Sequence, residues 1–207
     1  MTGIISDNVA RTSGLIKAAA GGGGAWTLIK SITASSSATI SFVHGTSDVT
    51  FDGTYPTYLF QYSAIHPQTD AQDFTVGFRD GSTDYDAVKT TTFFAGNNDE
   101  IAASGSVNYE TGRDMAQGTG FQILNNAVGG DNDQCCSGNL WIFSPSDTTF
   151  VKHFILESNN AHSANANLNQ YMAGYCNTTT AIDAVQFKFA SGNIDAGTIR
   201  LFGLADS

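Results

Sequence analysis

The tightest constraint in this sequence is two-residue alternation. In DFTVGF, Phe74, Val76 and Phe78 fall on one side, and Asp73, Thr75 and Gly77 on the other. Val185, Phe187 and Phe189 oppose Ala184, Gln186 and Lys188 in the same way, and Ile40 and Phe42 alternate with Thr39 and Ser41. Successive side chains point to opposite faces only in an extended strand, so these stretches read as strands with one buried face. Other runs are β-rich without clean alternation: WTLIKSI from Trp26, TYLFQYSAI from Thr57, YDAVKTTTFF from Tyr85, GFQIL from Gly120, NLWIFS from Asn139, FVKHFILE from Phe150 and TIRLFG from Thr198. With a short strand near Gln170 to Tyr175, about ten strands are expected, several of them buried on both faces. Turn chemistry fills the intervals around Gly53, Gly81 and Gly192. From Asp99 to Gln117, Gly105 and Gly112 interrupt any helix, and a long loop with at most one helical turn is expected. The expected fold is all-β, a two-sheet sandwich of jelly-roll type spanning residues 25–207, preceded by an extended N-terminal arm.

Residues 1–24 read differently. Apolar pairs at Ile4–Ile5 and Leu15–Ile16 flank a polar centre, and Gly21, Gly22, Gly23 and Gly24 then form a hinge. Nothing adjacent in sequence covers those pairs. Docked on a neighbouring subunit, Ile4, Ile5, Leu15 and Ile16 would contribute roughly 1.5–3 kcal/mol each when fully covered. Ordering the backbone costs about 1–2 kcal/mol per residue, so apolar burial alone does not hold the arm. Main-chain pairing with a partner strand, repeated around a symmetric ring, has to supply the rest. A leader without a partner is the competing reading.

Charge and cysteines exclude several classes of function. Nine basic and nineteen acidic residues give a net charge of −10, and no Lys/Arg cluster interrupts it, which disfavours nucleic-acid binding. Sixteen of the acids are Asp, a turn former, and three are Glu. Cys135, Cys136 and Cys176 have neither CxxC nor zinc-ligand spacing, and reduced thiols made in a cytoplasm are expected. No apolar run is long enough to span a membrane, so no membrane insertion is expected. Ser6, Asp7, Asn8 and Arg11 interrupt what would be the core of a secretory signal.

Two segments carry a family resemblance. SDNVARTSGLIKA, from Ser6 to Ala18, resembles the N-terminal peptide of structural proteins of marine tailed phages. AIDAVQFKFASGNIDAGTIRLFGLA, from Ala181 to Ala205, resembles the C-terminal strands of a family of phage virion proteins, and AWTLIKSITASSSATISF, KTTTFF and GNLWIFSPSDTTFVKHF fit the same pattern. The resemblance implies a virion protein similar to tail-fibre, head-fibre or capsid-decoration components, made in the cytoplasm of the host bacterium. It implies no catalytic residue and no cofactor. The expected partners are copies of the chain itself, as a homotrimer, other virion proteins, and a host surface glycan or protein.

Candidate chemistry is sparse. There is no GxSxG, and His44, His66, His153 and His162 are scattered; His153, inside a strand, reads as a hydrogen-bonded structural histidine. A glycan depolymerase would need two facing carboxyls, but the Asp residues sit in turns such as Asp52–Gly53 and Asp80–Gly81. Asp131 and Asp133 in GDNDQ are weak candidates for a metal site, a calcium loop lacking the distal Glu that would complete it, and Asp70 and Asp73 near a strand end are weaker still. Most aromatics lie on strand faces; Tyr55, Tyr85, Tyr109 and Tyr171 are the candidates for exposed contacts. The sequence therefore points to a non-enzymatic virion component, fibre-type or adhesin, with capsid decoration as the alternative and depolymerase as a lesser one.

Overall fold

The computed structural model describes residues 26–101 and 104–205; the arm residues Ile4, Ile5, Leu15 and Ile16 and the hinge Gly21–Gly24 lie outside the described residues. Twelve strands follow in order among the described residues: Trp26–Thr33 (β1), Ile40–Val43 (β2), Thr57–Pro67 (β3), Gln72–Arg79 (β4), Lys89–Asp99 (β5), Gly105–Tyr109 (β6), Gln122–Val128 (β7), Cys136–Phe143 (β8), Lys152–His162 (β9), Ala166–Cys176 (β10), Ala184–Phe189 (β11) and Ile194–Leu204 (β12). The protein is all-β. Its helical content there is a single 3-10 turn at Thr111–Arg113, inside the stretch expected to hold one helical turn. That stretch is not simply a loop, because β6 pairs with β5 within it.

All twelve strands belong to one nearly closed antiparallel sheet, where two sheets were expected. It has two limbs. The long limb runs β1-β12-β3-β8-β9-β10-β5-β6, and the short limb runs β7-β4-β11-β2. The three strands with clean alternation, β2, β4 and β11, are neighbours in the short limb, and their apolar sides are buried. These rings meet the inner face of the long limb: Phe42 lies 5.3 Å from Phe60, Tyr62 5.3 Å from Phe74, and Phe78 4.9 Å from Phe154. Each buried aromatic removes enough apolar surface from water to contribute about 2–3 kcal/mol, and edge-to-face contacts add to that.

The limbs join at β9, where β7 contributes one backbone pair, Val128 with His162. Beyond it, side chains replace the ladder. Ser158 Oγ donates to Leu124 O at 3.2 Å, Asn160 Nδ2 donates to Asn126 O at 3.1 Å, and Asn126 N donates to Gln170 Oε1 at 2.9 Å. Asn125 Oδ1 accepts from Tyr62 Oη at 2.6 Å, and Gln170 Nε2 and Asn125 Nδ2 both donate to Asn160 Oδ1. Tyr62, Asn125, Ser158, Asn160 and Gln170 are all buried. Buried polar groups of this kind hold together only when each is paired.

At the other end of the same inner face, Lys89, Cys176 and Lys152 sit side by side on β5, β10 and β9, all buried. Lys89 Nζ donates to Ala87 O at 2.6 Å and Lys152 Nζ to Thr178 O at 3.0 Å. Neither has a carboxylate within ion-pair distance among the described residues. Burial pushes both ammonium groups below the usual lysine range, and pushes the Cys176 thiol up to about 12. Lys89→Met keeps the volume and removes the buried charge, so it is expected to stabilise the fold by about 1–2 kcal/mol in urea denaturation. The sign of the pH effect follows from linkage. Between the lowered folded pKa and the ordinary value the unfolded chain binds more protons at Lys89, so this residue makes stability rise with pH. The variant's profile should lack that rise, leaving a gain that shrinks as pH approaches the ordinary lysine pKa.

Candidate functional site

An antiparallel sheet covering a core on one side commonly turns polar residues outward on the other. The long limb departs from this. A line of directly opposed residues crosses six strands: Leu28 on β1, Phe202 on β12, Leu59 on β3, Trp141 on β8, Ile155 on β9 and Ala173 on β10. Their sequence neighbours Phe60, Leu140, Phe154 and Leu201 are buried in the core, so the pleat turns this line outward. Leu28 is 53% exposed and Ile155 45%, Ala173 is exposed, and Phe202, Leu59 and Trp141 between them are half-buried. The sequence expectation of strands buried on both faces holds for β4, where residues 74–78 are all buried, whereas on the long limb the second apolar face is present but left partly exposed.

Exposure is concentrated rather than scattered. Eight large hydrophobic residues are exposed among the described residues, and six of them (Trp26, Leu28, Phe94, Val107, Tyr109, Ile155) share this one face. Apolar exposure gathered on one face marks an interaction surface in a way that exposed apolar residues scattered over the molecule do not. At Ala173 the small side chain leaves a shallow apolar depression of about 400 Å³, walled by Thr90, Thr92, His153, Ile155 and Tyr175. Towards β6 the face becomes aromatic: Phe94 stacks on Tyr171 with ring centres 5.1 Å apart, and Tyr109 lies directly across from Phe94. The Tyr109 hydroxyl donates to Asp114, which raises its pKa above the ordinary phenol value.

The row beside the apolar line is polar, running Arg200, Gln61, Asn139, Glu157 across β12, β3, β8 and β9. Arg200 Nη1 donates to Ser63 Oγ at 3.2 Å, and Glu157 forms no ion pair among the described residues. A separate polar recess of about 380 Å³ opens near the ends of β5, β7 and β10, with Asn97, Glu110, Arg113, Asn126 and His162 in its wall. Arg113 there pairs with Glu110 at 3.1 Å and donates to Asn126 Oδ1 at 2.7 Å. Burial, aided by the Arg113 charge, lowers the His162 pKa.

Of the tyrosines singled out in the sequence, Tyr109 and Tyr171 meet around Phe94 on the outward face. Tyr55 instead packs on Tyr58 at 5.7 Å, and Tyr85 on Phe121 at 6.4 Å. His153 is not an interior histidine; it is exposed on the outward face, 5.9 Å from Tyr175. Asp131 and Asp133 are exposed in a turn after β7, where Gln134 N donates to Asp131 O at 2.9 Å. Among the described residues no three His, Cys, Asp or Glu side chains gather as metal ligands. Turn hydrogen bonds hold Asp52 and Asp147 below the usual carboxylate range, and Glu110 is engaged by Arg113. None of the four histidines hydrogen-bonds a serine, threonine or cysteine among the described residues. All three cysteines are free thiols.

The outward line was missed in sequence, although its signal is present. In NLWIFS both alternation classes are apolar, Leu140 and Ile142 against Trp141 and Phe143. That pattern fits a strand buried twice within one chain and equally a strand whose second face is covered by another molecule. Comparisons with known proteins give no match to a family model, to a curated protein or to a solved structure.

Proposed function

We propose that this chain is a non-enzymatic structural component of a phage virion, a tail- or head-fibre-type subunit or adhesin anchored through residues 1–24. In this reading the β domain is a variant of the jelly-roll sandwich that assembles with copies of itself and with other virion proteins. The observation that carries the reading is the uncovered apolar line across the long limb, from Leu28 to Ala173. A chain with net charge −10 keeps such a surface only if assembly covers it. The resemblance of Ser6–Ala18 and Ala181–Ala205 to phage virion proteins supports the same conclusion. The polar recess around Arg113 and Asn126 offers donors and acceptors suited to a hydroxylated ligand such as a host surface glycan, in line with the adhesin role.

A virion reconstruction tests this directly. A few copies at the tail or vertices are expected; a copy beside every capsid subunit would place the protein in the decoration role instead. Deletion of residues 1–20 is expected to abolish incorporation into particles. Purified virions that lack the protein, or release of reducing sugar ends by it that is lost on changing one Asp pair, would overturn the reading.

A further inference from the structure

The outward residues of the long limb fall in rows that match their own reverse under two-fold symmetry. β3 and β8 lie at the centre of the six strands β1-β12-β3-β8-β9-β10, and the registers align their outward residues in rows. A two-fold axis lying in the face, parallel to the strands and between β3 and β8, places each row against its own reverse. In the polar row, Arg200 of one copy then faces Glu157 of the other, and Gln61 faces Asn139. In the apolar line, Leu59 faces Trp141, Phe202 faces Ile155, and Leu28 faces Ala173. The half-exposed Leu28 therefore projects at the depression beside Ala173, and Trp26 in the next row projects at Tyr175.

We infer that the chain forms a face-to-face homodimer through this surface, with reciprocal Arg200–Glu157 ion pairs flanking an apolar centre. Three features favour a second copy over another occupant. The first is charge: although the chain carries nine basic and nineteen acidic residues, Arg200 and Glu157 are the only Lys, Arg, Asp or Glu in the three central rows. Depletion of charge at the centre is the compositional mark of an interface, and an excess of negative charge there would drive two such copies apart. The second is the symmetry of what remains, one cation and one anion equidistant from the central axis, as an isologous contact requires. The third is area. Six strands at ~4.8 Å and three outward rows at ~6.8 Å give roughly 600 Å² in projection, and side-chain relief brings this towards the ~800 Å² per partner of a standard interface.

The pairing rests on the assembly reading and deepens it by naming the partner and its register, with a two-fold pair in place of the homotrimer expected from the sequence, and it can fail independently. Sedimentation of the purified full chain over a range of concentrations is the test. A particle of twice the chain mass is expected. Arg200→Glu and Glu157→Arg should each weaken association by about a hundredfold, because like charges then face each other twice per dimer. The double variant, which exchanges the two charges, should restore association to within about tenfold of the native chain. Ala173→Trp, filling the depression opposite Leu28, should weaken it without touching any charge. A chain that stays monomeric at roughly 100 μM, a three-chain particle, or charge reversals that leave the mass unchanged or are not rescued together would overturn the pairing. Such a failure leaves the virion reading intact, and a dimer absent from virions overturns only the virion reading.

Discussion

Asn160→Ala is expected to lower the unfolding free energy by about 4 kcal/mol, a large share of the stability of an ordinary domain. Asn160 Oδ1 accepts from both Gln170 Nε2 and Asn125 Nδ2, and its Nδ2 donates to Asn126 O. Truncation leaves the buried Gln170 Nε2 without this acceptor, removes one of the two acceptors of the buried Asn125 Nδ2 (the other is Ser158 Oγ), and takes the donor from the part-buried Asn126 carbonyl. Each such group costs about 1–3 kcal/mol, and because the groups form one network the losses do not simply add. The cavity left by the missing amide adds to the cost. Urea denaturation followed by tryptophan fluorescence measures the loss. A change below about 1 kcal/mol would mean that the amides do not hold β7 to β9 and β10. Hydrogen exchange should also rise first in β7, whose backbone depends on those side chains where its neighbours have ladders.

The second large effect is expected at Gly197. Its φ is 113°, and a Cβ there would meet Ala64 O at 2.5 Å and Ile65 Cα at 2.7 Å. Both contacts are backbone atoms of β3, opposite irregularities in the β12 and β3 ladders, so neither can turn aside. Gly197→Ala combines a backbone conformation unfavourable for alanine with a clash in a paired strand, and about 3–5 kcal/mol of destabilisation is expected. Gly45→Ala supplies the control: its φ is 76° and nothing lies within 4 Å, so only the conformational part remains, about 1 kcal/mol. The difference between the two melting curves isolates the clash. The irregularity also sets the register of Thr198 and Arg200 against β3, so the Gly197 variant should disturb the outward face as well as the core.

What was legible in the sequence divides along physical lines. β2, β4 and β11 announce themselves because one face of each meets the core while the other carries Ser41, Thr75, Gln186 or Lys188. β6 was hidden because all five of its residues are exposed, which leaves an edge strand without any alternation. β9 and β10 run further than expected. Asn159, Asn160, Asn167 and Asn169 read as loop residues by propensity, yet here they are strand residues whose amides bond to other amides, to backbone or, for Asn169, to the Tyr171 hydroxyl. That context is tertiary and has no local signature. Of the tyrosines singled out for exposed contacts, Tyr109 is exposed and Tyr171 half-buried, and their meeting at Phe94 depends on strand order, which the sequence left open. The outward line is the same case on a larger scale. Each of its residues comes from a different strand, and only the ladder registers reveal that they form a line.

The order of the strands has a consequence for synthesis. β1 pairs only with β12, and β2 only with β11, so the two earliest described strands find their partners in the last part of this sequence to be translated. Contacts that far apart in the chain form slowly, and during translation they cannot form at all until β11 and β12 leave the ribosome. Until then β3 lacks its β12 neighbour, and the apolar line lacks Phe202 and the seating of Leu28. A nascent chain in which β12 has not yet been made therefore lacks this surface, and the face that would recruit another copy exists only once β12 is in place.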